Sequence, residues 1–193
     1  PDGTVAIGFE SMYNLSSGIG NTAIGYEALK GHTTGARNTV VGYRAMDGTG
    51  GATVLDSNDN VFMGYHAGGG TWTTAVCQYN VGIGNYTLDG AMNGAVQNTA
   101  VGHNSLSGVT QGDNNVGIGI NAGDSITTGT KNVCIGQNTD PSAVGGVNQI
   151  VIGATATGLA DNSVTLGNSD VTNVYLSTDR DARLHCGGVD LGE

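Results

Sequence analysis

The chain has 193 residues, 35 of them glycine and only 11% charged, with a formal net charge of −10 at pH 7. Six scattered Lys and Arg residues argue against a phosphate-binding groove and so against nucleic acid as a partner. No 18-residue apolar run marks a helical membrane span, and the glycines lack the Gly-X-Y period of collagen.

One phrase recurs along the chain, and each recurrence predicts a short strand ending at a glycine. Residues 5–7 (VAI) precede Gly8, 22–24 (TAI) precede Gly25, and 39–41 (TVV) precede Gly42. The phrase returns before Gly64, Gly84, Gly102, Gly119, Gly136, Gly153 and Gly167. Successive glycines are 17, 17, 22, 20, 18, 17, 17, 17 and 14 residues apart. With each glycine as position zero, position −3 is always β-branched and position −1 always aliphatic or Met. Side chains alternate along a strand, so these two columns share one face. The looser column between them (Ala6, Ala23, Val40, Phe62, Gly82, Ala100, Gly117, Cys134) faces the other way.

The turns carry their own columns. Asn stands at −4 in Asn21, Asn38, Asn60, Asn80, Asn98, Asn115 and Asn132. Asn tolerates left-handed backbone, and stacked Asn side chains can also bond from coil to coil. Small residues stand at +3, and Met or Leu is frequent at +4. Gly at −7 (Gly18, Gly35, Gly112, Gly129, Gly146) marks the coils that follow a 17-residue interval. The longer coils put Ser57, Cys77 and Ala95 there, which places the extra residues within 47–59, 69–79 and 89–97.

A 17-residue coil holds ~56 Å of extended chain, enough for two short strands and their turns, and neighbouring coils would stack ~4.8 Å apart. Such a coil cannot bury its own apolar face, so stacking must create the core. The expected fold is all-β: a parallel β-solenoid or β-roll of about ten coils over 1–167. A neck or transition segment follows over 168–193, with short strands at VTNVYL and ARLHC. Pro1 stands at −7 of the first coil, so the chain opens within a repeat and reads as a fragment of a longer protein.

NQIVIG (148–153) and NSVTLG (162–167) resemble the N-S-V-A-I-G phrase in the left-handed β-roll heads of trimeric autotransporter adhesins. The 17-residue form, NTAIGYEAL followed by TTG, is similar to repeats in tail fibres of phages and large algal viruses. In those fibres the repeats commonly precede a neck and a self-cleaving chaperone. The resemblance covers 1–167 and, weakly, 168–193. Most coils depart from the adhesin heads by carrying Asn one place later, and no chaperone sequence is present. The resemblance implies a homotrimer on a virion surface or an extracellular or cell surface. Its partners would be further segments of the same fibre and a host glycan or receptor. A thin roll with an apolar side agrees, since three copies around an axis would cover it.

No residues converge into a catalytic motif, and none suggests a cofactor. His32, His66, His103 and His185 fall in different columns and read as exposed loop histidines. DSNDN (56–60) has the oxygen spacing of a calcium loop but lacks its Gly and distant Glu, so turn chemistry is the favoured reading. Cys77, Cys134 and Cys186 have no zinc spacing; Cys134 reads as a core residue, and an inter-chain disulfide is the minority reading.

The aromatics are the ligand-binding candidates. Phe9, Tyr26, Tyr43 and Tyr65 occupy +1 in four successive coils. They predict either a structural column or a strip on which sugars stack. Trp72, in the second insertion, is either a loop contact or packing beneath the insertions. The functional expectation is a non-enzymatic structural and adhesive shaft of a trimeric fibre, with the insertions as its contact region. The alternatives are a β-helical polysaccharide depolymerase, which needs an acidic pair not found here, or a self-assembling surface filament. An ice-templating solenoid is disfavoured, because Thr-x-Thr is confined to loops.

Overall fold

The computed structural model describes residues 2–49, 56–72 and 75–175. Ten three-residue strands lie at the predicted places: β1 (Val5–Ile7), β2 (Thr22–Ile24), β3 (Thr39–Val41), β4 (Val61–Met63), β5 (Val81–Ile83), β6 (Thr99–Val101), β7 (Val116–Ile118), β8 (Val133–Ile135), β9 (Ile150–Ile152) and β10 (Val164–Leu166). They form one parallel sheet in sequence order. The register pairs equivalent letters, with Ile24 beside Val41 and Val41 beside Met63. The chain is therefore an all-β solenoid whose neighbouring coils are neighbours in sequence.

Each coil contributes one strand rather than the two its length allows, and turns make up most of the remainder. Among the described residues, only isolated bridges such as Thr130 with Val147 add to the sheet. Residues 171–175 form no strand, so the expected VTNVYL strand is not found in its described part. ARLHC lies outside the described residues.

The glycine at zero is required twice over. Its φ lies between 130° and 144° in Gly8, Gly25, Gly42, Gly64, Gly84, Gly102, Gly119, Gly136 and Gly153, a region closed to ordinary side chains. A Cβ on Gly25 would also stand 2.3 Å from the carbonyl oxygen of Gly42 in the next coil.

The −4 Asn column is a buried ladder. The Nδ2 of Asn38, Asn60, Asn80, Asn98, Asn115 and Asn132 donates to the Asn Oδ1 of the coil before, at 3.0–3.2 Å. The backbone N–H of each donates to that same oxygen at 2.9–3.0 Å. The second Nδ2 hydrogen reaches the −7 carbonyl of the following coil, as from Asn21 to Gly35 at 2.8 Å. This joins the two corners and fills the bonding capacity of the amide. The left-handed backbone expected at Asn belongs instead to its neighbour at −5, where Arg37, Asp59, Tyr79, Gln97 and Lys131 have φ of 58–61°. In the ninth coil Gln149 ends the ladder. Its N–H donates to Asn132 Oδ1, and its Nε2 to Ser142 Oγ and Asp161 Oδ1.

The core is a thin column inside the stack. The looser strand column points into it: Ala23, Val40, Phe62, Ala100, Cys134 and Val151 are all buried. Leu29, Met46, Leu88 and Leu106 at +4 close the core from the next turn. The Phe62 ring takes the space left by Gly82 in the next coil, where a Cβ would come within 2.7 Å of it.

Candidate functional surface

The opposite side of the sheet is turned to solvent. Ile7, Ile24, Met63, Ile83, Ile118, Ile152 and Leu166 of the −1 column are exposed, and the −3 column is mostly half-buried beside it. The exposed +1 residues stand just past the glycine. Not one of the thirty −3, −1 and +1 positions is Lys, Arg, Asp or Glu. The first three coils instead place their charges beside this face. Lys30 pairs with Glu10 at 2.6 Å and Glu27 at 2.8 Å, Arg44 with Asp47 at 2.6 Å, and Arg37 with Asp59 at 2.6 Å.

The +1 rings form the expected row. Phe9, Tyr26, Tyr43 and Tyr65 stack with centroids 5.4, 4.9 and 5.4 Å apart and planes within 14°. They are 62%, 40%, 46% and 41% exposed. Parallel stacking means that each ring covers its neighbour's face, so solvent meets mostly edges and hydroxyls. A pyranose stacks on a ring face, and of these four rings only Phe9 has an outer face with no ring against it. The geometry thus favours the structural-column reading over a strip of four sugar platforms. Beside Tyr26, the Glu27 carboxylate holds the phenol above its usual pKa.

The row continues beyond the four predicted rings. Tyr86, at +2, meets Tyr65 edge-on at 5.3 Å and stacks near His66 at 6.0 Å. His103 meets Tyr86 edge-on at 5.8 Å. The +1 column alone hid this, because Asn85 interrupts it; the Asn85 Oδ1 instead accepts the Tyr65 N–H at 2.9 Å.

Trp72 is not a loop contact. It is 1% exposed, packs edge-on to Phe62 at 5.9 Å, and donates Nε1–H to the Gly68 carbonyl at 3.1 Å. With Val109 and Ile126 at +7, and with Met92 at +8 like Trp72 itself, it forms a second inward column. The insertions shift that column by one residue, which concealed it in the sequence.

His32 belongs to the same column and corrects the reading of exposed loop histidines. It is fully buried, its Nδ1 has no hydrogen-bond partner among the described residues, and burial pushes the imidazole down to about 4. His66 is half-buried and His103 exposed; His185 lies outside the described residues. In DSNDN the oxygens serve the stack instead of converging. Asn58 Oδ1 accepts the Ala36 N–H, Asp59 pairs with Arg37, and Asn60 is a rung of the ladder. Cys77 and Cys134 are buried free thiols, and burial raises both, Cys134 to about 12. Neither is placed for an inter-chain disulfide.

Comparison with protein-family models, curated proteins and solved structures finds no match. The surface itself carries the functional argument. No described helix is long and apolar enough to cross a membrane. The nine strand spacings give a face ~43 Å long, and the run from −3 to +1 gives a width of ~13 Å, or ~560 Å² in plan. Apolar side chains make up most of it, with Thr22, Thr39, Thr99, Asn85, His103, Gln137 and Asn168 as polar members, so its apolar part falls within the ~300–600 Å² of the largest apolar patch on a monomer.

Proposed function

We propose that the chain is a non-enzymatic structural shaft segment of a homotrimeric fibre, assembled through the uncharged sheet face. The observation that carries this reading is the absence of Lys, Arg, Asp and Glu from the −3, −1 and +1 columns in all ten coils, with an aliphatic residue or Met at every −1. Interface centres are depleted of charge in the same way, and the face is of the same order as the ~800 Å² each partner contributes to a standard interface. The likeness of the repeats to trimeric fibre proteins supports three copies. The setting would be a virion tail fibre or another extracellular surface.

Recognition of a host glycan or receptor is assigned to the longer coils, where the stack departs from its regular period. Exposed Val76 and Tyr79 support this placing, whereas Trp72 supports the core beneath them. Charge on the sheet face is the test. Ile24→Glu combined with Ile118→Glu should give a folded monomer with unchanged β circular dichroism. A double variant that assembles like the parent chain removes this face from the proposal.

A further inference from the structure

Just past the aromatic row, position +2 forms a second row along the stack. Its backbone is left-handed, with φ of 51–57° at Glu10, Glu27, Arg44, His66, Tyr86, Asn104, Asn121, Asn138 and Thr155. From Glu27 onward each of these N–H groups donates to the +1 carbonyl of the coil before, as from Tyr86 to Tyr65 at 2.9 Å and from Asn104 to Asn85 at 3.0 Å. The backbone thus fixes the row, while its side chains change character along it. Charges hold the first three coils (Glu10, Glu27, Arg44), two rings follow (His66, Tyr86), and then come three amides (Asn104, Asn121, Asn138).

Tyr86 is turned across the stack. Its plane makes 68° with that of Tyr65 and 73° with that of His103. Coils lie ~4.8 Å apart, so the 5.3 Å between Tyr65 and Tyr86 runs mainly along the stack. Tyr86 therefore sets its edge on the Tyr65 face, and its own faces look sideways. His66, one coil earlier, is only 26° from parallel and lies largely alongside at 6.0 Å, so the two rings make one broader platform. Tyr86 is 37% exposed, and among the described residues no ring but His66 lies near-parallel to it, which leaves at least one face free of ring contact. A separate observation falls beside it. The Asn104 side chain, half-buried in the next coil, makes no hydrogen bond among the described residues. Further along, Asn121 Nδ2 donates to Asn138 Oδ1 at 2.9 Å, which leaves Asn121 Oδ1 and Asn138 Nδ2 for other partners.

We propose that Tyr86, His66 and Asn104 form a binding site for a neutral pyranose. The apolar face of the sugar lies on the Tyr86 ring, and the spare Asn104 amide, donor and acceptor side by side, bonds two neighbouring hydroxyls. The site selects against acidic sugars. From His66 to Asn138 the row holds no Lys or Arg to pair with a carboxylate, and Asp89, with Oδ1 3.8 Å from His66 Nδ1, repels one. A longer glycan continues along the row over Asn121 and Asn138. This rests on the glycan recognition proposed above and gives it residues, whereas the stacked rings of the +1 row have their faces covered. It does not rest on assembly, because the +2 row stands outside the −3 to +1 face.

The test is saturation-transfer NMR on the full chain with the methyl glycosides of glucose, galactose, mannose and N-acetylglucosamine at millimolar concentration. At least one should receive saturation, strongest at the ring C–H protons of one face. Tyr86→Ala, with unchanged β circular dichroism, should weaken that binding by about tenfold or more. Tyr86→Phe, which keeps the ring, should retain it, and Asn104→Ala should weaken it by about threefold or more through the lost hydrogen bonds. Binding that survives both Tyr86→Ala and Asn104→Ala would overturn this site and leave glycan recognition standing at Val76 and Tyr79. No saturation of any of these glycosides would overturn the site and the glycan reading together, and the shaft reading, tested by charge on the sheet face, would be untouched.

Discussion

The Asn98 side chain makes four hydrogen bonds in a buried place. Nδ2 donates to the Gly112 carbonyl at 2.8 Å and to Asn80 Oδ1 at 3.1 Å, while Oδ1 accepts the Asn115 N–H at 3.0 Å and its Nδ2 at 3.1 Å. Alanine there leaves buried donors and acceptors unmatched at ~1–3 kcal/mol each. Asn98→Ala should therefore lower stability by ~3 kcal/mol or more, measured as a shift in the urea midpoint. A loss below ~1 kcal/mol would mean that the ladder is ornamental. His32 predicts a pH effect. Its folded pKa, about 4, lies below the ordinary ~6.5, so the unfolded chain takes up the proton first. Stability is then full above pH ~6.5 and falls as pH drops towards ~4, by up to ~3 kcal/mol. In His32→Leu, which matches the apolar residues of its column, this part of the acid dependence should vanish. A parent and variant with parallel pH profiles would contradict the assignment.

At the scale of the single coil, three strand residues and a glycine are too little to stand alone, and the inward column does the rest. Trp72 fills that column beneath the insertions, so Trp72→Ala should cost ~3–5 kcal/mol, read by urea denaturation, with assembly mass unchanged under native conditions. A variant as stable as the parent would return Trp72 to the surface. All ten strands were legible in the sequence, because the −3, −1 and zero columns admit few residue types and period two fixes their faces. The turns were less legible. Intrinsic preference points to Asn as the left-handed residue, yet the coil needs that conformation at −5. There the residue is Arg, Asp, Tyr, Gln or Lys in several coils, and neighbouring coils hold it in place. The second inward column is hidden in the sequence for a different reason: insertions displace it between +7 and +8, and its members, among them His32, Trp72 and Ile126, share burial but not chemistry.

For the molecule as a whole, the stack is a rod ~43 Å long, one side sealed as core and the other offered to solvent. The aromatic row was legible from spacing alone; its meaning was not, because only the ring planes show that stacked faces are covered. The absence of charge across three columns was equally present in the sequence, but it acquires meaning only once those columns are known to share an exposed surface. Repulsion among copies bearing −10 each is a modest opposing force at physiological salt, where exposed charges are screened beyond ~8 Å. Light scattering of the purified chain with in-line size separation tests this account most directly. It predicts a particle of about three times 19.3 kDa at neutral pH and physiological salt. A folded β-rich species that stays at 19.3 kDa across the accessible concentration range would contradict it.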